Sequence, residues 1–364
     1  MHLCRFGKNN PTMRIAHIIW GLKAGGAELM LVDIVNEQVK SHDVSIFVVN
    51  NEVYATVKKC LNTKVRLYCI GRPPGSKNPW YFFILNLYLI KYQPNIIHCH
   101  QDGLVSLVRL LKFHKVLTLH DTKIILTSKI NQFNAVYCIS RSVQYDIGLR
   151  YPQLKTRIVY NGIKTGIQII KSAFNYAPFR IVQVSNLIHE KKGQDLLIRA
   201  LALLVHQYKI DLTVDFIGEG LSENYLRALA VELGLESYCQ FIGPKSRQFI
   251  YSHLHNYDLL VQPSRKEGFG LTVIEGMTSG VPVLVSDIEG PMEIIADGDY
   301  GFHFKNGDYE NLCAQILNII KLSREQDFMA YCVRAKLYVD HKFDIANTAQ
   351  AYIDEYTHVI AAVD

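Results

Sequence analysis

The sequence has no apolar run long enough to cross a bilayer: its most apolar stretch, Pro79 to Tyr92, falls well short of the roughly 20 residues a span needs. Eight cysteines stand at positions 4, 60, 69, 99, 138, 239, 313 and 332, and no pair has metal-ligand or redox spacing. Scattered cysteines without a signal peptide point to a reducing, cytoplasmic compartment. The first twelve residues lack a signal peptide's apolar core and read as an extension or an upstream start before Met13. The dinucleotide fingerprint G-x-G-x-x-G is missing. So is any interleaving of aromatic and basic residues, or any recognised nucleic-acid module, so nucleic acid is not an expected partner.

What is present is a foldable globular chain of 364 residues, 49% hydrophobic and 20% charged, enough for two domains. Its net charge of +6 hides an asymmetry. Residues 1–170 carry 22 Lys and Arg against 8 Asp and Glu, while residues 171–364 carry 17 against 25. A basic half joined to an acidic half implies that the first meets an anionic partner, with a membrane surface ahead of nucleic acid.

Short apolar runs alternate with helical patterns from Met13 onward. Strands are expected near 13–20, 44–49, 65–70, 95–99, 116–119 and 135–139, then 180–185, 212–217, 239–242, 258–262 and 281–285. Repeated β-α units predict an α/β fold with parallel sheets covered on both faces. The irregular stretch 164–179 reads as the linker. Pro79 to Tyr92 is expected to be a buried helix, with a membrane-interface helix as the alternative. The tail from Asp308 reads as helical.

The chemistry concentrates in Arg265-Lys266-Glu267-Gly268-Phe269-Gly270-Leu271-Thr272-Val273-Ile274-Glu275. An apolar strand precedes it, and a helix is expected to begin within it. Glycines let backbone N–H groups approach a ligand, and the helix dipole presents its positive end, which together make an anion site. Glu275, inside the helix, would repel phosphate and should face hydroxyls. Phosphate and hydroxyls in one crevice suggest a nucleotide sugar. A second glycine loop, Gly25-Gly26, precedes the first helix. His100 and His120 close two strands, where ligands of doubly wound sheets bind. His98 lies within a strand and reads as packing. A zinc site at His98 and His100 finds no further ligand of suitable spacing. Asp297-Gly298-Asp299 imitates a metal motif but lies in a turn-rich run.

These residues resemble the retaining glycosyltransferases of family 4, which have the GT-B fold. The resemblance runs from Arg14 to about Tyr356. It is strongest in Pro263 to Leu271 with Glu275-Gly276-Met277 and Gly280 to Val283, the pattern of two glutamates separated by seven residues. It implies two facing Rossmann-like domains: 13–170 for the acceptor and 171–342 for the donor. A last helix, 343–364, would cross back to the first.

It further implies donor contacts from Gly25, Gly26, Asn186, Lys191, Lys192, Glu267, Gly268, Phe269, Gly270, Leu271, Thr272 and Glu275. His120, Glu267 and Lys192 would act at the reacting centre, Glu275 at the ribose. No cofactor or metal is expected. Family members usually carry an Arg where this chain has Asn186, which gives no charge to a diphosphate. Lys191, Lys192 or Arg265 would compensate.

The expected partners are a nucleotide-sugar donor and a saccharide or lipid-linked acceptor of surface polysaccharide or lipopolysaccharide assembly, at the inner membrane face. The alternative is a nucleotide-sugar-binding protein with little or no transferase activity. An epimerase or phosphorylase on the same fold ranks lower.

Overall fold

The computed structural model describes residues 12–23, 25–108, 111–175 and 177–362. All of the amino-terminal extension except Thr12 therefore lies outside the described residues.

The first half folds into β1 (Arg14–Ile19), β2 (Asp43–Asn50), β3 (Arg66–Arg72), β4 (Ile96–Cys99), β5 (His114–Leu119), β6 (Ala135–Cys138) and β7 (Arg157–Ile158). The second contains β8 (Phe179–Val184), β9 (Leu212–Ile217), β10 (Cys239–Gly243), β11 (Leu259–Gln262), β12 (Val283–Ser286) and β13 (Phe302–Phe304). Every pairing is parallel. Such strands are covered on both faces, which is why β1, β4 and β11 are mainly apolar and almost wholly buried.

The sheet orders are β3-β2-β1-β4-β5-β6-β7 and β10-β9-β8-β11-β12-β13. This is an α/β fold of two Rossmann-like sheets. In each sheet the order reverses once, between β1 and β4 and between β8 and β11. A crevice opens beyond the strand ends at each such reversal. The sequence had already placed its glycine loop after β1 and its two-glutamate stretch after β11. The fold brings both to crevices.

The chain between the sheets is tied to the second one by a buried carboxylate. Asp258 accepts from Lys171 Nζ at 2.8 Å and from the N–H groups of Asn175 and Arg180, both at 2.9 Å. These backbone donors fill the carboxylate's remaining acceptor sites, which a buried pair requires. The helical tail resolves into Tyr309–Leu322, Phe328–Lys342 and Ile345–Ala361. The last of these packs Tyr352, Ile353, Tyr356 and Val359 into the apolar layer of β1 and β2 in the first half.

The expectation of a buried helix at Pro79 to Tyr92 is not met. The helix spans Trp80–Tyr92 and buries Leu85, Leu89 and Tyr92. Trp80, Phe83, Leu87 and Ile90 form a stripe on another face, 60%, 52%, 48% and 48% exposed. The segment is apolar all round, so its sequence carried no periodicity to say which face packs. No helix among the described residues is long and apolar enough to cross a membrane.

Candidate active site

Between the two crevices lies a cavity of about 310 Å³, lined from both halves. The first half supplies Gly26, Ala27, His120, Asp121, Ile139 and Asn161. The second supplies residues after β8, including Asn186, Lys191 and Lys192, and the loop Glu267–Thr272 after β11.

The loop's geometry follows from its glycines. Gly270 has φ +117°, a conformation costly for any side chain, and caps the helix Leu271–Thr278. Gly290 lies where an added Cβ would meet Glu267 O at 2.7 Å and Phe269 N at 3.0 Å, so only glycine lets this segment support the loop. Among the described residues, no protein acceptor takes the backbone N–H of Gly270, Leu271 or Thr272. Three unfilled donors at the positive end of a helix invite an anion.

Lys192 ends the short helix His189–Lys192 and donates from Nζ to Glu267 Oε2 at 2.5 Å. Lys191 reaches across the cleft to Asp121 Oδ2 at 3.2 Å. Asn186 stands on the wall without charge. Arg265 does not compensate for it. Its guanidinium is occupied by Asp195, at 2.7 and 2.8 Å, and by His189 O at 2.7 Å. Gly26 is on the wall with open space around it, whereas Gly25 lies behind as the N-cap of the helix Gly26–Gln38.

Glu275 is also off the cavity wall. It is buried, with Arg247 Nε 3.9 Å from its Oε1, and burial pushes its carboxyl up to about 7. Arg247 in turn pairs with Asp33 of the first half and donates to Tyr251 OH at 2.6 Å. This cluster spans both halves, and sequence reading missed it. Asp33 and Arg247 lie 214 positions apart, with no local pattern linking them.

Further contacts hold the halves together. Ser140 caps the helix Arg141–Arg150 and donates to Gly268 O at 2.7 Å. Buried Glu293 accepts from Arg141 N at 2.9 Å, Arg141 Nε at 2.7 Å and Tyr160 OH at 2.6 Å. Asp121 accepts from Thr122 N at 2.9 Å and also bridges to Lys191.

Behind His120 the strands stack further imidazoles. His100 Nδ1 is 3.1 Å from His120 Nε2, and His100 Nε2 is 3.1 Å from His17 Nδ1. His17 Nε2 reaches Gln38 Oε1 at 2.8 Å. His98 bonds Tyr356 OH at 2.6 Å and Thr118 Oγ1 at 2.8 Å. His17, His98 and His100 bring nitrogens within 4.8 Å of one another, close enough for a cation. Each of their nitrogens already has a protein partner, so hydrogen bonding accounts for the cluster. Burial holds His17 and His120 down to about 4, and His98 and His100 well below the usual imidazole value, so all four are neutral near pH 7.

Comparison with known proteins agrees with this architecture. Residues 24–166 match the model for Glycosyltransferase Family 4, and residues 167–335 match that for Glycosyl transferases group 1. An uncharacterised glycosyltransferase of Methanocaldococcus jannaschii is 28% identical over 62% of this chain, the match spanning only 58% of that relative's length. The O-antigen biosynthesis glycosyltransferase WclY of Escherichia coli is 27% identical over 81% of this chain and 86% of its own. A crystal structure of Anabaena HepE in complex with UDP-glucose superposes with a TM-score of 0.78 at 21% identity, covering 95% of this chain and 100% of that one. Sheet order, cleft and both family models converge: the chain belongs to the family 4, group 1 glycosyltransferases, with the GT-B fold.

Proposed function

We propose that the protein moves a sugar from a nucleoside-diphosphate donor to a saccharide or lipid-linked acceptor, with retention of configuration. One observation carries this reading: the unfilled amides of Gly270–Thr272 and the ammonium of Lys192 line one cavity between the halves. As the glycosidic bond breaks, negative charge grows on the leaving diphosphate. Fixed N–H dipoles and one lysine stabilise that charge without reorganising. Glu267 is held by Lys192, which leaves it suited to accept from sugar hydroxyls and unsuited to attack carbon. Retention is carried over from the family. The reaction needs no resident metal in this scheme.

Incubation with UDP-, GDP- and ADP-sugars tests the proposal. Release of nucleoside diphosphate is expected from one donor class, accelerated by acceptor. Binding without turnover on any donor and acceptor would instead favour a nucleotide-sugar-binding protein, the reading that uncharged Asn186 keeps open.

Glu275 gives the scheme a pH signature. If its carboxylate accepts from the donor's ribose, it must be ionised, and its value of about 7 places that change near neutrality. Donor KM is expected to fall as pH rises from about 6 to about 8, and Glu275→Gln should flatten the profile. An unchanged profile in a folded variant would remove Glu275 from the donor site. The same shift has a stability cost. A carboxyl whose folded value lies above the ordinary 4.5 lowers stability as pH rises from there to about 7.

A lipid-linked acceptor requires access to a membrane surface, here proposed as an anionic one. The crossover helix Trp80–Tyr92 runs antiparallel to its strands, so Trp80 and Phe83 lie towards the cleft end of the first sheet. Its exposed apolar stripe is accompanied by Lys77 and Lys91 in the basic half of the chain. Co-sedimentation is expected with anionic vesicles and not with neutral ones. The double variant Trp80→Ser, Phe83→Ser should weaken it by at least about tenfold. Equal partition of wild type and variant would exclude this helix as the contact.

A further inference from the structure

The line of rings behind His120 has a direction. The Gln38 amide is set with Oε1 facing His17 Nε2 and its own Nε2 buried without a partner; in that orientation His17 Nε2 carries the proton. In a neutral ring, His17 Nδ1 is then an acceptor, and its partner, His100 Nε2, must donate. His100 Nδ1 is left as an acceptor and takes the proton of His120 Nε2. Each ring fixes the next, and the line ends at His120 Nδ1. That nitrogen is buried and has no hydrogen-bond partner. His120 itself lines the cavity.

We propose that Gln38, His17 and His100 are positioning residues that hold His120 in its Nε2–H tautomer, so that Nδ1 offers only a lone pair to a hydroxyl of the transferred sugar. This rests on the reading of His120 as a sugar-contacting residue. It adds a specificity rule: at this point the site accepts a group that donates a hydrogen bond and rejects one that can only accept.

The geometry makes the assignment cooperative. All three donors and acceptors between Gln38 and His120 are paired in sequence, and reversing one ring leaves two facing donors or two facing acceptors. The neutral state that the argument needs is supplied by burial. His98 stacks on His100, with ring centroids 4.4 Å apart, and bonds outside the line, to Tyr356 and Thr118. It packs the line without setting its direction.

The test has a spectroscopic arm and a kinetic arm. Nitrogen-15 spectra of the whole protein should show His17, His100 and His120 as neutral Nε2–H tautomers at pH 7. Nδ1–H tautomers, an imidazolium among them, or a stoichiometric bound divalent ion by elemental analysis would overturn the proposal.

Kinetically, His100→Leu removes the acceptor for His120 Nε2 and should lower kcat about tenfold, with donor KM within about twofold. His100→Asn keeps an oxygen near the position of Nδ1 and should recover kcat to within about threefold. Both variants lose the contact to His17. Equal losses in the two would reduce His100 to a packing residue. If the leucine variant does not fold, the wild-type spectra still decide. Correct tautomers in a protein that turns over no donor would leave the line standing and sink the transferase reading instead.

Discussion

Lys192→Met is expected to lower kcat/KM by about 10³-fold, with most of the loss in kcat. The cations on the cavity wall, among the described residues, are Lys191 and Lys192. The usual arginine is replaced by Asn186, and Arg265 is held away by Asp195. Lys191 is shared with Asp121 across the cleft. Lys192 is paired too, but with Glu267, which lies on the same cavity wall; in the proposed reaction it meets the charge that develops on the leaving diphosphate, an interaction stronger in the transition state than in the ground state.

Removing it also leaves Glu267 without its cation, so unfolding must be measured alongside. Lys192→Arg, which keeps the charge, should retain more activity than the methionine variant. Near-normal turnover in Lys192→Met would show that the amides of Gly270–Thr272 suffice alone.

Gly193→Ala is expected to cost about 2–4 kcal/mol of stability and most of the activity. Gly193 has φ +68°, and a Cβ added there would lie 1.9 Å from Pro263 O and 2.9 Å from Pro263 C. Neither partner is a flexible side-chain end. Pro263 follows β11 and Gly193 follows Lys192, so the clash would push apart the two loops that bring Lys192 to Glu267. Gly166 is the control. Its φ is +76°, with nothing within 4 Å of an added Cβ, so Gly166→Ala carries the backbone strain without the collision. Equal denaturant midpoints for the two variants would refute the argument from close approach.

The strands were readable because a sheet buried on both faces demands mainly apolar runs. The loop Glu267–Thr272 was readable because its amides need glycines around them. What sequence could not give is pairing across the cleft. Arg265 was a plausible phosphate ligand until Asp195, 70 positions earlier, took it. Glu293 is 2% exposed and holds Arg141 and Tyr160, partners more than 130 positions earlier that no local pattern links to it. The order among His17, His100 and His120 depends on strand register, which pairs His17 with His98 across β1 and β4. The apolar helix at Trp80–Tyr92 misled for another reason: with no polar side, its sequence does not say which face meets the protein.

The placement of the last helix bears on how the chain is made. Tyr356 bonds His98 and Tyr352 bonds Thr118, partners 258 and 234 positions away, inside the first sheet. On the ribosome, synthesis runs from the amino terminus, and domains usually fold in the order they emerge. Here the first sheet emerges long before the helix that covers it. Until that helix arrives, His98 and Thr118 wait without these hydroxyls, and the apolar layer around β1 stays open. The half made first is thus the half completed last.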